Sequence, residues 1–385
     1  MRAGGGRDMA EPPLRVAHFL SSLGIYGAER WTLTLFKHLR KGWIDPIAIT
    51  VGVKPGADAF YEMMLAEGFQ AVHLGLPGRL NPRAVYALRR LVCEQHIAIL
   101  HTHGFKSDLM GYLATRGLPV RLVSTPHGWC ASEGWLIRAY EALGRLFLRG
   151  FDRLYPLSPA LLETLQQQRF KASQLRLMLN AVDETAFDAC FAQRQPRGAD
   201  DPMVFLFVGR LERPKGIFDL VEAFGQATFN VPAELHVAGE GPAREELEAR
   251  CEQLRIADQV RFMGFVPDVR PLLAASHVLV LPSYSEGIPR VVMEAFAAGV
   301  PVIGTQISGV EQLVDHETTG LLTPVGDAVA LARAMERMTA QPEMAWNMAT
   351  RARHCVATVY SASRHAREFE DEYWQLAGGP GATMP

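Results

Sequence analysis

Short apolar segments alternate with helix-length amphipathic segments along almost the whole chain. Segments of about four to eight apolar residues bounded by turn residues are typical of buried strands, and their alternation with helical patterns predicts βαβ units. Six of these segments are LRVAHFL (14–20), IAILHTH (97–103), VRLVSTPH (120–127), MVFLFVG (203–209), HVLVLP (277–282) and PVIGT (301–305). The order of elements therefore predicts an α/β fold with parallel sheets.

A polar interval divides this alternation into two halves of similar length. The interval CFAQRQPRGADDP, residues 190–202, has the composition of an interdomain linker. A chain of 385 residues with 48% hydrophobic content is large enough for two domains. We therefore expect two doubly wound, Rossmann-like domains, over residues 14–190 and 203–360, that face a central cleft. Ligands of such domains bind outside the carboxyl ends of the strands.

Charge and composition exclude several classes of protein. The formal net charge of −2 gives no general attraction for nucleic acid, so no nucleic-acid partner is expected. No apolar run approaches the roughly 20 residues that span a bilayer, and the start MRAGGGRDMAEPP lacks the apolar core of a signal peptide. The cysteines lack C-x-x-C spacing, which favours a reducing cytoplasm. The five are Cys93, Cys130, Cys190, Cys251 and Cys355.

The stretch SEGIPRVVMEAFAAGVPVIGT, residues 285–305, places two carboxylates between a predicted strand and a predicted helix. Proline is compatible only with the first turn of a helix, so Pro289 places Glu286 in the preceding turn and Glu294 on the helix. The loop leaves the carboxyl end of the strand HVLVLP, which is the edge at which parallel sheets bind ligands. The two glutamates are therefore candidate ligand-binding residues.

A second candidate site lies in FLFVGRLERPKG, residues 205–216. A strand is expected to end at Gly209, and Arg210 and Lys215 share the loop before a helix that begins near Gly216. Arginine can grip phosphate oxygens with two hydrogen bonds, lysine adds a point charge, and a helix N-terminus adds N–H donors. This loop is a predicted anion site.

The first half carries a glycine-bearing turn and three histidines at strand ends. In SLGIYGAER, Gly24 and Gly27 suit a close approach of the backbone to a ligand. His101, His103 and His127 follow strands, but none has the H-x-x-x-H or H-E-x-x-H spacing of a helical metal site, so no metal site is expected. Strand-end histidines are more often packed hydrogen-bonding residues, and His127 stands out by its neighbour Gly128 and its place on the cleft side.

Taken in order, GIYGAER, TPHGW, NAVD, GRLERPKG, GEGP and the E-x7-E pair resemble the retaining glycosyltransferases of family 4, which have the GT-B fold. The resemblance covers almost the whole chain. It implies that Arg210 and Lys215 bind the diphosphate of a nucleotide-sugar donor, that Glu294 binds the ribose, and that Glu286 lies beside the transferred sugar. It further implies that the terminal segment, residues 361–377, is a helix that crosses back to the N-terminal domain.

The resemblance also implies roles for residues of the N-terminal half and of the matched turns. His127 is similar to the family histidine that contacts the donor sugar, and it joins Glu286, Arg210 and Lys215 as an implied catalytic residue. The implied donor-binding residues besides Glu294 are Gly24, Gly27, Gly209, Gly287, Ile288 and Pro289. The family commonly has Phe-Gly where this chain has Ile288 and Pro289, so one backbone donor is missing and the donor sugar stays open.

The function that follows is transfer of a sugar from a nucleoside diphosphate sugar to an acceptor hydroxyl. Retention of anomeric configuration is implied by the resemblance, no cofactor is expected, and a UDP-sugar is favoured over a GDP-sugar. The expected acceptor is a glycan or lipid-linked molecule bound by the N-terminal domain, in polysaccharide, glycolipid or lipid-linked glycan synthesis. Two alternatives are a GT-B epimerase acting on the nucleotide sugar and a glycosyltransferase-like binding subunit without catalysis.

The segment WLIRAYEALGRLFLRGF, residues 135–151, is expected to be a helix with apolar residues on one face. Arg138, Arg145 and Arg149 lie on another face, with Glu141 as the one acidic residue among them. Such a basic helix could bind an anionic membrane weakly. The alternative is that its apolar face packs in the core and its arginines are solvated. The expected location is therefore cytoplasmic, either free or peripheral on the inner face of the membrane.

Overall fold

The computed structural model describes residues 12–21, 27–51, 58–75, 81–126, 144, 146–194 and 202–378. The chain splits into two compact units: Met1–Asn180 together with Ala362–Pro385, and Ala181–Ser361. Each unit contains a six-stranded sheet, and the strands of both sheets pair in parallel. The predicted α/β class with two parallel, Rossmann-like sheets is confirmed.

The central strands of the first unit have side chains that are mostly buried on both faces, as expected for a sheet covered by helices. All five residues of the strand Ile99–His103 are buried. The strands are β1 Leu14–Leu20, β2 Ile44–Thr50, β3 Gln70–His73, β4 Ile99–His103, β5 Arg121–Ser124 and β6 Arg153–Leu154. Their spatial order is β3-β2-β1-β4-β5-β6.

Three helices of the first unit begin at a residue whose side chain caps them. Asp58, Asn81 and Ser158 each accept a backbone N–H of the following turn through the side chain, and proline follows the last two. The helices are α1 Gly27–His38, α2 Ala59–Ala66, α3 Pro82–Glu94, α4 Phe105–Thr115 and α5 Pro159–Gln167.

The second unit repeats the same plan with the order β12-β11-β10-β7-β8-β9. Its strands are β7 Met203–Val208, β8 Ala233–Ala238, β9 Val260–Gly264, β10 Val278–Leu281, β11 Val302–Thr305 and β12 Gly320–Thr323. Its helices are α6 Asp188–Ala192, α7 Ile217–Gln226, α8 Arg244–Gln253, α9 Arg270–Ala275, α10 Arg290–Ala297, α11 Ser308–Glu311, α12 Ala328–Ala340 and α13 Pro342–Val359. Residues 181–190, which the sequence placed with the N-terminal domain, fall within this second unit.

The last helix, α14 (Ala362–Leu376), belongs to the first unit. Phe369 and Tyr373 are fully buried, and the Phe369 ring packs against Trp31 with a centroid distance of 5.3 Å. The buried Glu370 accepts the Arg40 backbone N–H and pairs with its guanidinium. Apolar packing and buried charge pairing together fix α14 to the sheet of the first unit.

Candidate active site

The two glutamates lie at the carboxyl edge of the second sheet, in the loop and helix that follow β10. Pro289 is the N-terminal cap of α10, which begins at Arg290. The predicted strand, turn and helix are therefore confirmed, with Glu286 in the turn and Glu294 in the second turn of the helix. Both carboxylates are mostly buried, with side-chain exposures of 13% for Glu286 and 14% for Glu294.

Glu286 forms an ion pair with Lys215. The ammonium nitrogen lies 2.7 Å from Glu286 Oε1, and the hydroxyl of Ser283 donates to the same oxygen at 2.8 Å. The Lys215 side chain is 23% exposed, so solvent reaches this pair only in part. The structure thus joins two predicted site residues that belong to different loops.

The loop that carries Lys215 packs directly against the strand end before Glu286. Lys215 ends a 3₁₀ turn over Arg213–Lys215, and Gly216 caps α7 with a φ of +64°. A Cβ at Gly216 would lie 1.9 Å from the carbonyl oxygen of Pro282, so only glycine fits. The Tyr284 N–H donates to the Pro214 carbonyl at 2.9 Å. These backbone contacts aim Lys215 at Glu286.

Two further residues support the Glu286 turn, and no role was predicted for either from the sequence. The Thr305 hydroxyl, at the end of β11, donates to the carbonyl of Ser283. A Cβ on Gly309, in α11, would lie 1.9 Å from the carbonyl oxygen of Gly287 and 2.4 Å from that of Glu286. The only sequence signal was their position, since Thr305 ends the predicted strand PVIGT and Gly309 follows four residues later.

Arg210 is much more exposed than Lys215 and contacts a different carboxylate. Its side chain is 73% exposed and pairs with Glu212 at 3.0 Å. The preceding Gly209 donates its N–H to the Ala238 carbonyl, which joins the ends of β7 and β8. The loop therefore holds both predicted cations, but only Lys215 contacts a predicted carboxylate in the structure.

Glu294 is accompanied by Arg290, one helical turn earlier. Arg290 Nη2 lies 3.5 Å from Glu294 Oε1. The i, i+4 spacing of an arginine and a glutamate on a predicted helix could have indicated this pair. Of the other predicted donor residues here, Gly287 is exposed, Ile288 is half-buried and Pro289 is buried.

In the first unit, Gly27 begins α1 and is exposed. The predicted residues Gly24 and His127 lie outside the described residues.

His101 and His103 lie in a buried cluster with His18, for which no role was predicted from the sequence. His18 Nδ1 lies 3.0 Å from His103 Nε2, and His101 bonds Tyr373 and Thr125, each at 2.7 Å. The His101 and His103 rings stack at 22°, so they lie nearly parallel to each other. The three rings place one nitrogen each within 4.8 Å of the others, and a metal ion bound there would displace some of these hydrogen bonds.

Burial shifts the titration of two groups beside these strands. It lowers the pKa of His18 to about 3, so the ring is neutral at physiological pH. It raises the pKa of Asp108 to about 7, although Thr102 and Ser124 donate hydrogen bonds to that carboxyl and oppose the rise. Asp108 lies in the first turn of α4, on the opposite face of β4 from the histidines.

Among the described helices, none combines the length and the apolar character needed to cross a bilayer.

The fold and the motifs match known families and structures. The glycosyl transferase 4-like domain family matches residues 26–181, and the family of glycosyl transferases group 1 matches residues 191–355. A crystal structure of Anabaena Alr3699/HepE in complex with UDP has a TM-score of 0.80 at 20% identity, over 93% of this chain and 99% of that one. A glycosyltransferase from Rickettsia africae has a TM-score of 0.79 at 19% identity, over 94% and 98%.

Two curated relatives are similar in sequence. The N-acetyl-alpha-D-glucosaminyl L-malate synthase of Bacillus anthracis is 26% identical over 289 residues, which is 74% of this chain and 76% of the relative. The lipopolysaccharide core biosynthesis glycosyltransferase LpsE of Rhizobium meliloti is 29% identical over 230 residues, which is 60% of this chain and 65% of the relative. The chain is a glycosyltransferase with the GT-B fold, built from a glycosyl transferase 4-like domain and a group 1 domain.

Proposed function

We propose that the chain transfers a sugar, with retention of configuration, from a nucleoside diphosphate sugar to an acceptor hydroxyl. The observation that carries this proposal is the Lys215–Glu286 pair at the carboxyl edge of the second sheet, held by Ser283. A cation and a carboxylate fixed side by side can serve the two parts of such a donor. The ammonium suits the phosphate, and the carboxylate suits the sugar hydroxyls.

In the proposed reaction, the bond between the anomeric carbon and the phosphate oxygen breaks, and its electron pair leaves on that oxygen. Lys215 and Arg210 stabilise the negative charge that develops there. The acceptor oxygen forms the new bond to the anomeric carbon and gives its proton to the departing phosphate. Glu286 holds a sugar hydroxyl or steadies positive charge on the anomeric carbon, and Glu294 accepts the ribose hydroxyls. The reaction as proposed needs no metal ion.

We propose a UDP-sugar as the donor. The Anabaena protein of the same fold has been crystallised with UDP and with UDP-glucose. Glycan synthesis as the cellular role is supported by relatives named for lipopolysaccharide core and colanic acid biosynthesis. We accordingly propose a glycan or lipid-linked acceptor and a cytoplasmic location.

The test is to incubate the protein with UDP-, GDP- and ADP-sugars and to follow nucleoside diphosphate release with and without candidate acceptors. NMR of the product reports the anomeric configuration. We expect release to be slow alone and faster with an acceptor, and the product to keep the donor's configuration. Isomerisation of the sugar without an acceptor would instead support the epimerase. If the protein neither releases nucleoside diphosphate nor isomerises the sugar, a binding subunit without catalysis is the better proposal.

The proposal includes weak contact with an anionic membrane through the segment at 135–151. Its described end packs against α4: the Phe147 and Tyr112 rings lie 5.3 Å apart, and Arg149 is exposed. Arg138 and Arg145 lie outside the described residues. At about 1 kcal/mol per net positive charge, the segment would contribute roughly 2 kcal/mol.

Cosedimentation with liposomes tests this contact. We expect binding to anionic but not neutral vesicles, weakened by salt and lost when Arg138, Arg145 and Arg149 are all changed to Glu. Equal partition of the wild type and the triple variant would leave a soluble acceptor as the better proposal.

A further inference from the structure

Arg290 is a mostly buried cation that was not among the site residues predicted from the sequence. Its side chain is 20% exposed, and its Nε and Nη1 atoms are buried. In the part of the chain that the structure describes, neither atom has a hydrogen-bond partner. Among the described residues, its one charged contact is Nη2 to Glu294 Oε1 at 3.5 Å, at the outer limit of a hydrogen bond.

A guanidinium carries five N–H donors, and buried donors without acceptors are unfavourable. Arg353 in the same unit shows the usual solution. Its Nη1 donates to the carbonyls of Glu184 and Ala297, each at 2.8 Å, and its Nη2 pairs with Asp188. Arg290 is therefore a cation whose remaining donors suit an oxyanion.

The position of Arg290 along α10 indicates which oxyanion. Arg290 and Glu294 are one turn apart and share a face of the helix, and Arg290 is the nearer of the two to the Glu286 turn. In the proposed function, Glu294 holds the ribose and Glu286 the sugar. In a nucleoside diphosphate sugar, the group that links ribose to sugar is the diphosphate.

We propose that Arg290 binds the diphosphate of the donor, between the two glutamates. This inference rests on the proposed function. The charge of Arg290 favours it, because among the described residues its one charged contact is the long one to Glu294. Arginine also suits phosphate geometry because its planar fork can donate two parallel hydrogen bonds.

The test compares the binding of UDP and of uridine by isothermal titration calorimetry in the wild type, Arg290→Gln and Arg290→Lys. Loss of a charge-assisted hydrogen bond should weaken UDP binding about tenfold or more in Arg290→Gln. Uridine, which lacks phosphate, should bind within about twofold of the wild type. Arg290→Lys should recover part of the loss. The matched control is Arg90→Gln, which removes an exposed i, i+4 pair with Glu94 in the first unit.

Several outcomes would overturn the assignment. Unchanged UDP affinity in Arg290→Gln, in a chain whose wild type binds UDP, would overturn it and leave the proposed function standing. Equal losses for UDP and uridine would show that Arg290 acts through the helix or Glu294. A wild type that binds neither UDP nor GDP would overturn the proposed function as well. Thermal unfolding checks the folding of Arg290→Gln, and if that variant is unfolded, Arg290→Lys decides by the same comparison of UDP with uridine.

Discussion

The ammonium of Lys215 and the carboxylate of Glu286 meet at 2.7 Å although 71 positions separate them in sequence. Each limits the freedom of the other, and Ser283 fixes the carboxylate from a second side. In the proposed function, a donor phosphate would meet at Lys215 a cation already held in place, which would reduce the side-chain entropy lost on binding.

We predict that Lys215→Ala weakens UDP binding by about 1.5–3 kcal/mol, the value of a hydrogen bond to a charged group. Arg210→Ala should cost less, about 1 kcal/mol or below, because that side chain is 73% exposed and screened by solvent. Calorimetry measures both. Arg213→Ala, which removes an exposed pair with Glu246, is the control. The phosphate assignment fails if Lys215→Ala binds UDP as tightly as the control does.

The two glutamates should separate in kinetics. Glu294→Gln should chiefly raise the donor KM, because ribose binding is shared by the ground and transition states. Glu286→Gln should chiefly lower kcat, because its carboxylate lies at the reacting sugar in the proposed reaction. Steady-state kinetics with varied donor concentration distinguishes the two effects. The opposite pattern would show that the two glutamates have each other's proposed role. If neither KM nor kcat changes in either variant, the two glutamates have only a structural role.

Thr305 should act as a positioning residue for Glu286. Its hydroxyl donates to the Ser283 carbonyl, and Ser283 in turn donates to Glu286. Thr305→Val keeps the shape but removes the donor, so we expect a lower kcat with a donor KM changed by less than about twofold. Thr305→Ser should restore kcat. A Thr305→Ser variant as slow as Thr305→Val would show that side-chain packing, and not the hydrogen bond, matters here.

The hydroxyl of Tyr373 should stabilise the first unit. It bonds His101 Nδ1 at 2.7 Å and His18 Nε2 at 3.2 Å, and all three side chains are fully buried. Tyr373→Phe should therefore lower the free energy of unfolding by about 1–3 kcal/mol, the cost of leaving buried polar groups unpaired. Urea unfolding measures it. Tyr86→Phe, at a side chain 68% exposed, should be neutral.

Truncation of the chain before Ser361 should destabilise the first unit more than Tyr373→Phe does. It removes Phe369 and Tyr373 from the core, so stability and activity should fall together. A truncated chain with wild-type stability and activity would show that α14 is dispensable.

Asp108 should give the first unit a measurable pH dependence. Its pKa is about 7 in the folded protein against 3.8 for the free group, so between these values the folded state holds a proton that the unfolded state has lost. The contribution of Asp108 to the free energy of unfolding is therefore at its maximum below about pH 4. It falls as the pH rises to about 7, by about 4 kcal/mol at most. His18 has the opposite slope between pH 6.5 and about 3, since its folded pKa is lowered.

Asp108→Asn isolates the contribution of Asp108, because the effect of His18 is common to both proteins. Urea unfolding of variant and wild type from pH 5 to 8 should show the variant gaining stability relative to the wild type as the pH rises. A constant difference across this range would mean that Asp108 does not titrate there.

The sequence predicted the elements better than the contacts between them. Strand, turn and helix around Glu286 followed from apolar periodicity and Pro289, which are local signals. The Lys215–Glu286 pair and the support from Gly309 depend on β7, β10 and β11 being neighbours, an order that alternation alone does not specify. The cluster of His18 with His101 and His103 was missed for the same reason, since β1 and β4 pair across more than eighty positions.

The membership of α14 in the first unit has a consequence for synthesis on the ribosome. The first unit is discontinuous in sequence, whereas Ala181–Ser361 is a continuous segment. Domains usually fold in order from the N-terminus as the chain emerges. Here the apolar surface that Phe369 and Tyr373 cover stays open until residues after Ser361 have been made. The second unit can thus complete its core while the core of the first unit is still incomplete. The earlier part of the nascent chain is therefore the part more exposed to aggregation and to chaperones.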